Sequence, residues 1–328
     1  MTNVINFPIR NTNETILVTG GSGYIGGQTC ILLEEAGFNV INVDRQESLI
    51  IKTTHIDFSD EYIWDVIVDN DIKTVMHFAA DHEVGRSVVD PGEFYKNNVS
   101  KSIALLDACV TLGVSNFIFS SSSSVYGDVT EFPTKETTPK NPVSPYGRTK
   151  SMFEDILEDC SAAYKINYVA LRYFNAVGAD PYLQHGYRQS PASHLIPILA
   201  KCFVYDLPFV LNGNNYDTPD GTCIRDYTHV HDIASAHISA MAYLNNGGKS
   251  AVFNIGKGSG ESVLEIIKLF EIYTSKKLNY TIGPRRLGDT AKTYADIGKT
   301  MLAFDWKPSY TIEDAIQHAI EWEIHNGI

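Results

Sequence analysis

Short hydrophobic segments rich in β-branched residues alternate with longer segments of helical pattern through the first half of the chain. The short segments predict β-strands over residues 15–19, 39–43, 74–78, 116–120 and 168–171. The longer segments predict helices near residues 24–37, 59–70, 93–112 and 149–164. Such alternation is typical of βαβ units, so we predict an α/β fold around a parallel sheet.

After residue 174, the regular alternation of strand and helix segments becomes weaker. Residues 175–192 and 212–222 are rich in Gly, Pro, Asn and Asp, which favour loops. Shorter helices are predicted near residues 193–203, 230–245, 262–275 and 311–325. We therefore expect a loose N-terminal lead-in over 1–14, a main sheet domain over 15–174 and a smaller α/β domain over 175–328. Some segments of the smaller domain are expected to return to the sheet.

The charge balance excludes some classes of partner. The 328 residues contain 26 Lys and Arg against 39 Asp and Glu, for a formal net charge of −13. Nucleic acids and anionic membranes require a dense basic surface, which this composition does not supply. A small anion in a local pocket remains compatible with it. No segment approaches the ~20 apolar residues of a membrane helix.

The five cysteines are widely spaced and include no Cys-x-x-Cys pair. An odd number of isolated cysteines indicates free thiols in a reducing compartment. The first residues also lack the apolar core of a secretory signal. We therefore predict a cytoplasmic protein.

A glycine motif stands between the first predicted strand and the first predicted helix. Gly21-x-Gly23-x-x-Gly26 in this context is a dinucleotide-binding fingerprint, and Gly20 extends it to Gly-x-x-Gly-x-x-Gly. The glycines permit a tight turn and let backbone N–H groups and the helix N-terminus approach a pyrophosphate. Asp44 ends the next strand, where a carboxylate would bind the adenosine ribose and repel a 2′-phosphate. The motif therefore predicts NAD as the cofactor.

Tyr146 and Lys150 stand four residues apart at a predicted helix start and therefore share one face. A free tyrosine has a pKa near ~10 and is a poor base at neutral pH. A nearby ammonium, helped by the charge of a bound nicotinamide, would stabilise its phenolate. The serine run over 120–124 follows an apolar strand, so its hydroxyls emerge where open α/β sheets bind ligands. These residues predict a tyrosine acid/base assisted by a serine hydroxyl.

Together these motifs resemble the extended short-chain dehydrogenase/reductase family and, within it, the UDP-glucose 4-epimerases. Further segments that carry the resemblance are HFAADHEVGRSV, FIFSSSSSVYGD, PVSPYGRTK, LRYFNAVGAD, PDGTCIRDYTHVHDIA and PRRLGDTAKTYAD. The resemblance implies a Rossmann-type doubly wound parallel sheet that binds NAD and a smaller C-terminal α/β domain that binds a UDP-sugar. It implies an isomerase of galactose metabolism, which reversibly epimerises C4 of a UDP-hexose (UDP-glucose or UDP-galactose) through a 4-keto intermediate.

The resemblance also implies roles for individual residues. Ser122 is the catalytic hydroxyl, Tyr146 the acid/base and Lys150 its electrostatic partner. The residues implied to bind NAD are Gly20, Gly23, Tyr24, Ile25, Gly26, Asp44, Ile56, Asp57, Phe78, Ala79, Ala80, Asn97, Tyr146, Lys150 and Tyr173. The residues implied to bind the UDP-sugar are Ser122, Ser124, Tyr146, Asn175, His194, Leu195, Arg225, Arg286, Asp289 and Thr293.

Within that second set, Arg225 and Arg286 are implied to clamp the diphosphate, since a guanidinium makes bidentate contacts that lysine cannot. Asp289 is implied to bind the uridine ribose. The chain departs from the family pattern at a few positions. Asp81-His82 stands where a related branch has a lysine near the cofactor phosphates, and His194 replaces an asparagine.

Thr293 stands where the family has a tyrosine that restricts the sugar pocket, so UDP-N-acetylhexosamines or UDP-pentoses are further expected substrates. His229 and His231 resemble a metal-ligand pair, but the resemblance places them on a structural turn, and we predict no bound metal. UDP-pentose, UDP-uronate and UDP-N-acetylhexosamine 4-epimerases remain alternatives.

A nucleotide-sugar dehydratase or decarboxylase is a more distant alternative. Dehydratases carry an Asp-Glu pair before the Val-Tyr-Gly sequence, and Ser123-Ser124 occupies those places here. A regulator that binds NAD without catalysis is disfavoured because such proteins lack the Tyr-x-x-x-Lys pair.

The helices near 93–112 and 149–164 carry apolar residues beyond one core face. These residues are Phe94, Ile103, Leu106, Met152, Phe153, Ile156 and Leu157. In the family these two helices pair across a homodimer as a four-helix bundle, and a homodimer is therefore expected.

Overall fold

The computed structural model describes residues 14–286 and 289–326. Of the predicted lead-in over 1–14, all but Glu14 lies outside the described residues. Within the described ranges, no helix has both the length and the apolar character needed to cross a membrane.

The strands are numbered in chain order. They are β1 (Thr15–Thr19), β2 (Asn39–Asp44), β3 (Thr53–His55), β4 (Thr74–His77), β5 (Asn116–Ser122), β6 (Asn167–Tyr173), β7 (Asn175–Val177), β8 (Phe209–Asn212), β9 (Ile224–Arg225), β10 (Tyr227–His229), β11 (Ala251–Ile255), β12 (Glu261–Ser262), β13 (Tyr280–Gly283) and β14 (Lys292–Thr293).

The α-helices follow the same numbering. They are α1 (Tyr24–Glu35), α2 (Tyr62–Asp69), α3 (Val84–Val89), α4 (Pro91–Tyr95), α5 (Lys101–Thr111), α6 (Pro145–Ala163), α7 (Leu195–Tyr205), α8 (Val230–Asn245), α9 (Val263–Thr274), α10 (Gly298–Phe304) and α11 (Ile312–Asn326). A π-helical turn (Lys96–Ser100) joins α4 to α5, and a 3-10 turn (Ser123–Val125) follows β5.

The main sheet has seven parallel strands in the order β11-β6-β5-β4-β1-β2-β3. Successive residues of β1 face opposite sides, as strand geometry requires. Ile16 and Val18 pack into the core beneath α1 and α8, whereas Leu17 packs into the core beneath α2, α5 and α6. Because both faces are covered by helices, the predicted doubly wound α/β class is confirmed.

The remaining strands form small sheets beside the main one. β10 pairs with β7, β8 pairs with β13, and β9 lies between β12 and β14. The helices α7, α9 and α11 bury a separate core that includes Leu199, Phe203, Phe270 and Ile316. Asp226, directly after β9, accepts the N–H groups of Lys257 and Gly258, which follow β11. The end of β9 and its partner β14 therefore lie beside the carboxyl edge of the main sheet.

Two segments of the second half return to the main sheet. β11 extends the sheet next to β6, and α8 packs against α1. The predicted strands did not include β11 or the short β3. β11 is defined by its pairing with β6, which lies far away in the chain, and β3 has only three residues, too few to show a clear period.

The helix with the Tyr–Lys pair begins earlier than the pattern near 149–164 predicts. Ser144 caps it by accepting the backbone N–H of Gly147 at 3.1 Å, and Pro145 occupies its first turn. Both residue types favour a helix start. Tyr146 therefore lies within the first turn of α6.

The apolar residues expected to exceed one core face divide into two groups. Phe94, Leu106, Phe153 and Leu157 are at most 2% exposed and belong to the core of this chain. Ile103 on α5 and Met152 on α6 are each 43% exposed, and Ile156 is half-buried. The set of residues open to a partner is therefore smaller than the sequence pattern indicates.

Candidate active site

The turn between β1 and α1 lies directly against the loop that follows β4. Gly20 has a φ of +80°, and a Cβ at this position would lie 2.5 Å from the backbone nitrogen of Ala79. Phe78 and Ala79 donate their N–H groups to the carbonyl oxygen of Thr19 at 2.9 and 3.0 Å. Only glycine combines this left-handed backbone with such a close approach. The structure thus places Phe78 and Ala79 beside the glycine turn.

The N-terminus of α1 opens at this turn. Gly23 is the N-cap residue, and no side chain of the described residues caps the helix, so its first N–H groups remain for a phosphate. Asp44, at the end of β2, accepts the N–H of Ser22 at 3.1 Å and that of Gln46 at 2.9 Å. The turn and the carboxylate therefore meet, as binding of a dinucleotide requires.

The next two residues of the motif use their side chains for packing. The Tyr24 hydroxyl donates to the carbonyl oxygen of Gly178 at 2.6 Å, and Ile25 packs against the core beneath α1. Gly26 is buried in the same helix. Tyr24 and Ile25 can therefore serve a cofactor through their backbone, while their side chains join α1 to the rest of the protein.

The carboxylate of Asp57 follows β3 and is held by a lysine that the sequence did not indicate. Lys101 Nζ lies 2.5 Å from Asp57 Oδ2, and Ser59 donates to Oδ1. Burial would raise the pKa of Asp57, but the hydrogen bonds from Lys101 and Ser59 lower it. Asp57 is therefore ionised and fixed next to Ile56. The separation of 44 residues between the partners explains why no local pattern indicates the pair.

The π-helical turn carries two buried asparagines. Asn98 accepts the N–H of Asp81 at 2.8 Å and donates to its carbonyl oxygen at 2.8 Å, which fixes the loop after Ala80. Asn97 is 5% exposed, and its Oδ1 has no hydrogen-bond partner among the described residues. An orphaned buried acceptor next to Asn98, which holds the loop after β4, fits a ligand with donor groups, as a ribose or a carboxamide has.

The serine run and α6 meet at the carboxyl edge of the sheet. Ser122 ends β5 at 8% exposure, and its hydroxyl donates to that of Ser124 at 3.1 Å. Tyr146 is 9% exposed, and its phenol lies beside the Ser122 hydroxyl. A Cβ on Gly147 would lie 2.6 Å from the carbonyl oxygen of Ser124. The absence of a side chain at Gly147 therefore lets α6 carry Tyr146 up to the serines.

Lys150 lies one turn further along α6, below the tyrosine. Its Nζ donates to the carbonyl oxygen of Ser120 at 2.7 Å and lies 5.9 Å from the centre of the Tyr146 ring. Burial lowers the pKa of Lys150 to about 7, against the opposing charge of Glu154. Tyr173, also buried, hydrogen-bonds the Ser120 hydroxyl. Near neutral pH, Lys150 is therefore poised between its charged and neutral forms.

The pKa of Tyr146 differs from the sequence-based expectation. Burial raises it above the ordinary value, and the Ser122 hydroxyl only partly opposes this effect. The expected stabilisation of the phenolate is therefore not supplied by these side chains alone. A further positive charge beside the ring, such as an oxidised nicotinamide would bring, is needed to make Tyr146 a base at neutral pH.

The predicted substrate residues of the second half meet on the sheet of β9 and β14. Arg225 pairs in register with Thr293, and its guanidinium lies 3.5 Å from Asp289. Thr293 is half-buried, and its hydroxyl lies 3.0 Å from that of Thr290. Arg286 is exposed. Asp289 also donates its backbone N–H to the carbonyl oxygen of Arg286 at 3.2 Å. We call the segment of Arg225, Arg286 and Asp289 the guanidinium rim.

Asn175 and the Arg225 segment are fixed by a residue that the sequence reasoning missed. The side chain of Asn175 donates to the carbonyl oxygen of Asp226 at 3.0 Å. The buried Asp226 carboxylate accepts three backbone N–H groups and the hydroxyl of Thr228. Its pKa rises to about 6 because burial outweighs these bonds. The position of Asp226, directly after Arg225 in the sequence, could have indicated that this aspartate fixes the Arg225 segment.

His194 precedes α7, whose first residue is Leu195. Its Nδ1 lies 3.1 Å from the Ser193 hydroxyl and 3.3 Å from that of Tyr187. Burial lowers the pKa of His194 to about 4, with smaller effects of His82 and Arg286. His194 is therefore neutral near the exposed arginine.

The glycine turn between β1 and α1, the buried pair of Tyr146 and Lys150, and the guanidinium rim thus lie at one edge of the sheet. The sequence profile of the NAD dependent epimerase/dehydratase family matches residues 16–256. The chain belongs to this family, and the predicted NAD cofactor is confirmed.

Comparison with individual proteins shows which members of this family the chain is similar to. A UDP-glucose 4-epimerase of Halalkalibacterium halodurans is 40% identical over 316 residues, covering 94% of this chain and 95% of that protein. The crystal structure of UDP-glucose 4-epimerase from Bifidobacterium longum in complex with NAD+ and UDP matches with a TM-score of 0.90 and 38% identity, covering 96% and 100% of the two chains.

The UDP-Glc/GlcNAc 4-epimerase from Campylobacter jejuni matches with a TM-score of 0.82 and 34% identity, covering 95% of this chain and 99% of that one. The resemblance to UDP-glucose 4-epimerases, drawn from the motifs, is thereby confirmed.

Proposed function

We propose that this protein catalyses the NAD-dependent, reversible C4 epimerisation of a UDP-hexose, interconverting UDP-glucose and UDP-galactose. The observation that carries the proposal is the meeting of Ser122, Tyr146 and Lys150 at the same edge of the parallel sheet as the glycine turn. Ser123 and Ser124 stand at the positions where a dehydratase would need its acid and base, so elimination lacks these groups.

The chain's own groups would handle the proton of the 4-hydroxyl. The Tyr146 phenolate takes this proton while the Ser122 hydroxyl holds the oxygen, and the same phenol returns the proton after the sugar has turned. NAD, held by the glycine turn and Asp44, would supply the acceptor and donor of the C4 hydride. Lys150, with a pKa lowered to about 7 by burial, can adjust its charge as the tyrosine changes protonation.

The guanidinium rim would hold the substrate during this turn. Arg225 and Arg286 offer planar donor groups suited to a diphosphate, and Asp289 offers a carboxylate to the nucleoside ribose. Because the charged contacts lie on the rim, the sugar itself can rotate between its two faces. Anchoring the diphosphate would therefore let either face of the sugar reach the cofactor within one pocket.

Replacement of Tyr146 by Phe tests this mechanism. We expect the rate of UDP-galactose conversion to fall by about 10²-fold or more, because the proton acceptor is lost, while NAD remains bound. The products are separated and identified after incubation, and the bound NAD is measured after denaturation. A matched control is Tyr62→Phe, since Tyr62 is 51% exposed on α2. Wild-type conversion by Tyr146→Phe would refute the assignment.

We also propose a sugar pocket that admits a UDP-N-acetylhexosamine. Thr293 is small, its hydroxyl lies 3.0 Å from that of Thr290, and its strand pairs in register with Arg225. One of the matching structures is a UDP-Glc/GlcNAc 4-epimerase. Thr293→Tyr should lower turnover of UDP-GlcNAc more than that of UDP-galactose. Thr281→Tyr on the exposed strand β13 is the control, and an inactive wild type on UDP-GlcNAc would reject the proposal.

The residue assignments and the domain division from the sequence are part of the proposal, as are a homodimer and a cytoplasmic location. The exposed Ile103 and Met152 on neighbouring helices support the dimer, and the unpaired cysteines of the described residues support a reducing compartment. Light scattering should give twice the chain mass at micromolar concentration. Met152→Glu should shift the protein towards the monomer, and a monomeric wild type would exclude the dimer.

A further inference from the structure

A buried ion pair lies next to the serine run but carries no proton of the proposed reaction. The side chains of Arg172 on β6 and Glu154 on α6 are 4% and 2% exposed. Arg172 Nε donates to Glu154 Oε1 at 2.9 Å, and its Nη2 donates to Oε2 at 2.5 Å. Because burying two charges costs free energy that such contacts often only offset, stability alone does not account for the pair.

The carboxylate of Glu154 joins α6 to β5. The hydroxyl of Ser121 donates to Glu154 Oε1 at 2.5 Å, and Ser121 directly precedes Ser122 on β5. Tyr146 and Glu154 stand eight residues apart on α6, so they share one face of the helix. The hydrogen bond of Ser121 therefore fixes the helix that carries the tyrosine against the strand that carries the serine.

The guanidinium of Arg172 joins the same carboxylate to the turn that follows Ser122. Arg172 pairs in register with Ser121 across β5 and β6. Its Nη1 donates to the Tyr126 hydroxyl at 3.0 Å. The Tyr126 hydroxyl in turn donates to Asn254 Oδ1 on β11 at 2.6 Å. Ser122 therefore lies between two residues, Ser121 and Tyr126, that are both hydrogen-bonded to one ion pair.

We propose that the ion pair of Arg172 and Glu154 positions the hydroxyl of Ser122 beside the phenol of Tyr146. It acts through its hydrogen bonds to the residues on either side of the serine, which hold the end of β5 and the turn after it. This role rests on the proposed function, in which the serine and the tyrosine share the sugar hydroxyl. Proton transfer depends on the distance between the oxygens, and a misplacement of about 1 Å can lower the rate by about 10²-fold.

Two hydroxyl deletions test the role without leaving a buried charge unpaired. Ser121→Ala removes the donor to Glu154. Tyr126→Phe removes the acceptor of Arg172 Nη1. Replacing either charged residue would leave the other charge buried and alone, which can unfold the protein. We expect each deletion to lower kcat for UDP-galactose by about three- to tenfold at an unchanged KM, since the guanidinium rim is not altered.

A second background separates positioning from a structural role. Each deletion is repeated in the Ser122→Ala variant, in which no serine hydroxyl remains to be positioned. We expect neither deletion to lower kcat further in this background, because residues that act through one group are not additive. A merely structural role would lower kcat by the same factor in both backgrounds.

Rates are normalised to the NAD bound per chain, so that a loss of folded protein does not count as a loss of kcat. Ser161→Ala is the matched control. It removes a hydroxyl of α6 that lies 2.9 Å from the Ser250 hydroxyl, in the last turns of the helix, and it should retain the wild-type kcat.

Two results would overturn the inference: a wild-type kcat in both deletion variants, or an equal loss of kcat in both backgrounds. Conversion of UDP-galactose by the wild type is measured alongside. A wild type that converts UDP-galactose, with either of these results, rejects the inference alone. A wild type that binds NAD but does not convert UDP-galactose rejects the proposed function.

Discussion

The two sides of the candidate site are built in opposite ways. The side that carries Ser122, Tyr146 and Lys150 is at most 9% exposed and rests on a strand and a helix of the main sheet. The side that carries Arg225, Arg286 and Asp289 lies on short strands and loops, and Arg286 is exposed.

This difference follows from the two tasks of the proposed reaction. Proton transfer needs a fixed distance and a controlled pKa, which burial and regular structure provide. Holding a charged diphosphate while its sugar turns needs strong contacts at a distance from the reacting carbon. Changes on the buried side should therefore affect kcat, and changes on the rim should affect KM.

The largest effect is expected from the buried side. Lys150→Met removes the amine that contacts the Ser120 carbonyl and faces the tyrosine ring. We expect kcat for UDP-galactose to fall by about 10²-fold or more, because the acid/base loses its electrostatic partner. Steady-state kinetics check this, with Lys52→Met at an exposed position as the control. A rise in KM at unchanged kcat would contradict the comparison.

An intermediate effect is expected from the rim. Arg286→Ala removes an exposed guanidinium that would contact the diphosphate in both the bound substrate and the transition state. A charge-assisted hydrogen bond of about 1.5–3 kcal/mol corresponds to a KM increase of roughly tenfold or more, at a similar kcat. Lys268→Ala on the exposed face of α9 is the control. A selective loss of kcat would show that Arg286 acts on the chemical step.

The smallest effect is expected from a cluster of buried histidines away from the candidate site. His229 Nδ1 accepts the N–H of His231, so its Nε2 donates to His318 Nδ1 at 3.0 Å. Burial lowers the pKa of all three histidines, that of His231 to about 4. Below an unfolded-state pKa of about 6.5, the unfolded chain binds more protons, so stability falls with decreasing pH by up to ~1.4 kcal/mol per pH unit and proton.

His318→Asn keeps an acceptor near the Nδ1 position but does not titrate. We therefore expect a smaller loss of stability between pH 7 and pH 5 than in the wild type, measured by urea unfolding at each pH. His325→Asn, in the exposed last turn of α11, should leave the wild-type dependence unchanged. Equal pH dependence in the wild type and His318→Asn would show that this cluster does not govern acid stability.

How well the sequence predicts a part of the site depends on how far apart in the chain the contacting residues lie. The glycine turn and the pair of Tyr146 and Lys150 are local patterns, since each places its groups within a few residues of chain. The predicted start of α6 near residue 149 is wrong, because Ser144 and Pro145 begin the helix four residues earlier. The ion pair of Lys101 with Asp57 joins residues far apart in sequence, and a single sequence gives no sign of such a contact.

The sequence by itself determined the α/β class and the NAD cofactor, and it indicated the tyrosine–lysine pair on which the proposed mechanism depends. These properties depend on hydrophobic period, turn residues and short motifs, which act through neighbouring positions. Only the tertiary structure decided how the pKa values of the site residues shift. Burial lowers the pKa of Lys150 to about 7 and raises that of Tyr146, and the fold brings His82 and His194 into contact. Desolvation and long-range contacts exist only once the chain has closed around these groups, and they set the charges that the proposed reaction uses.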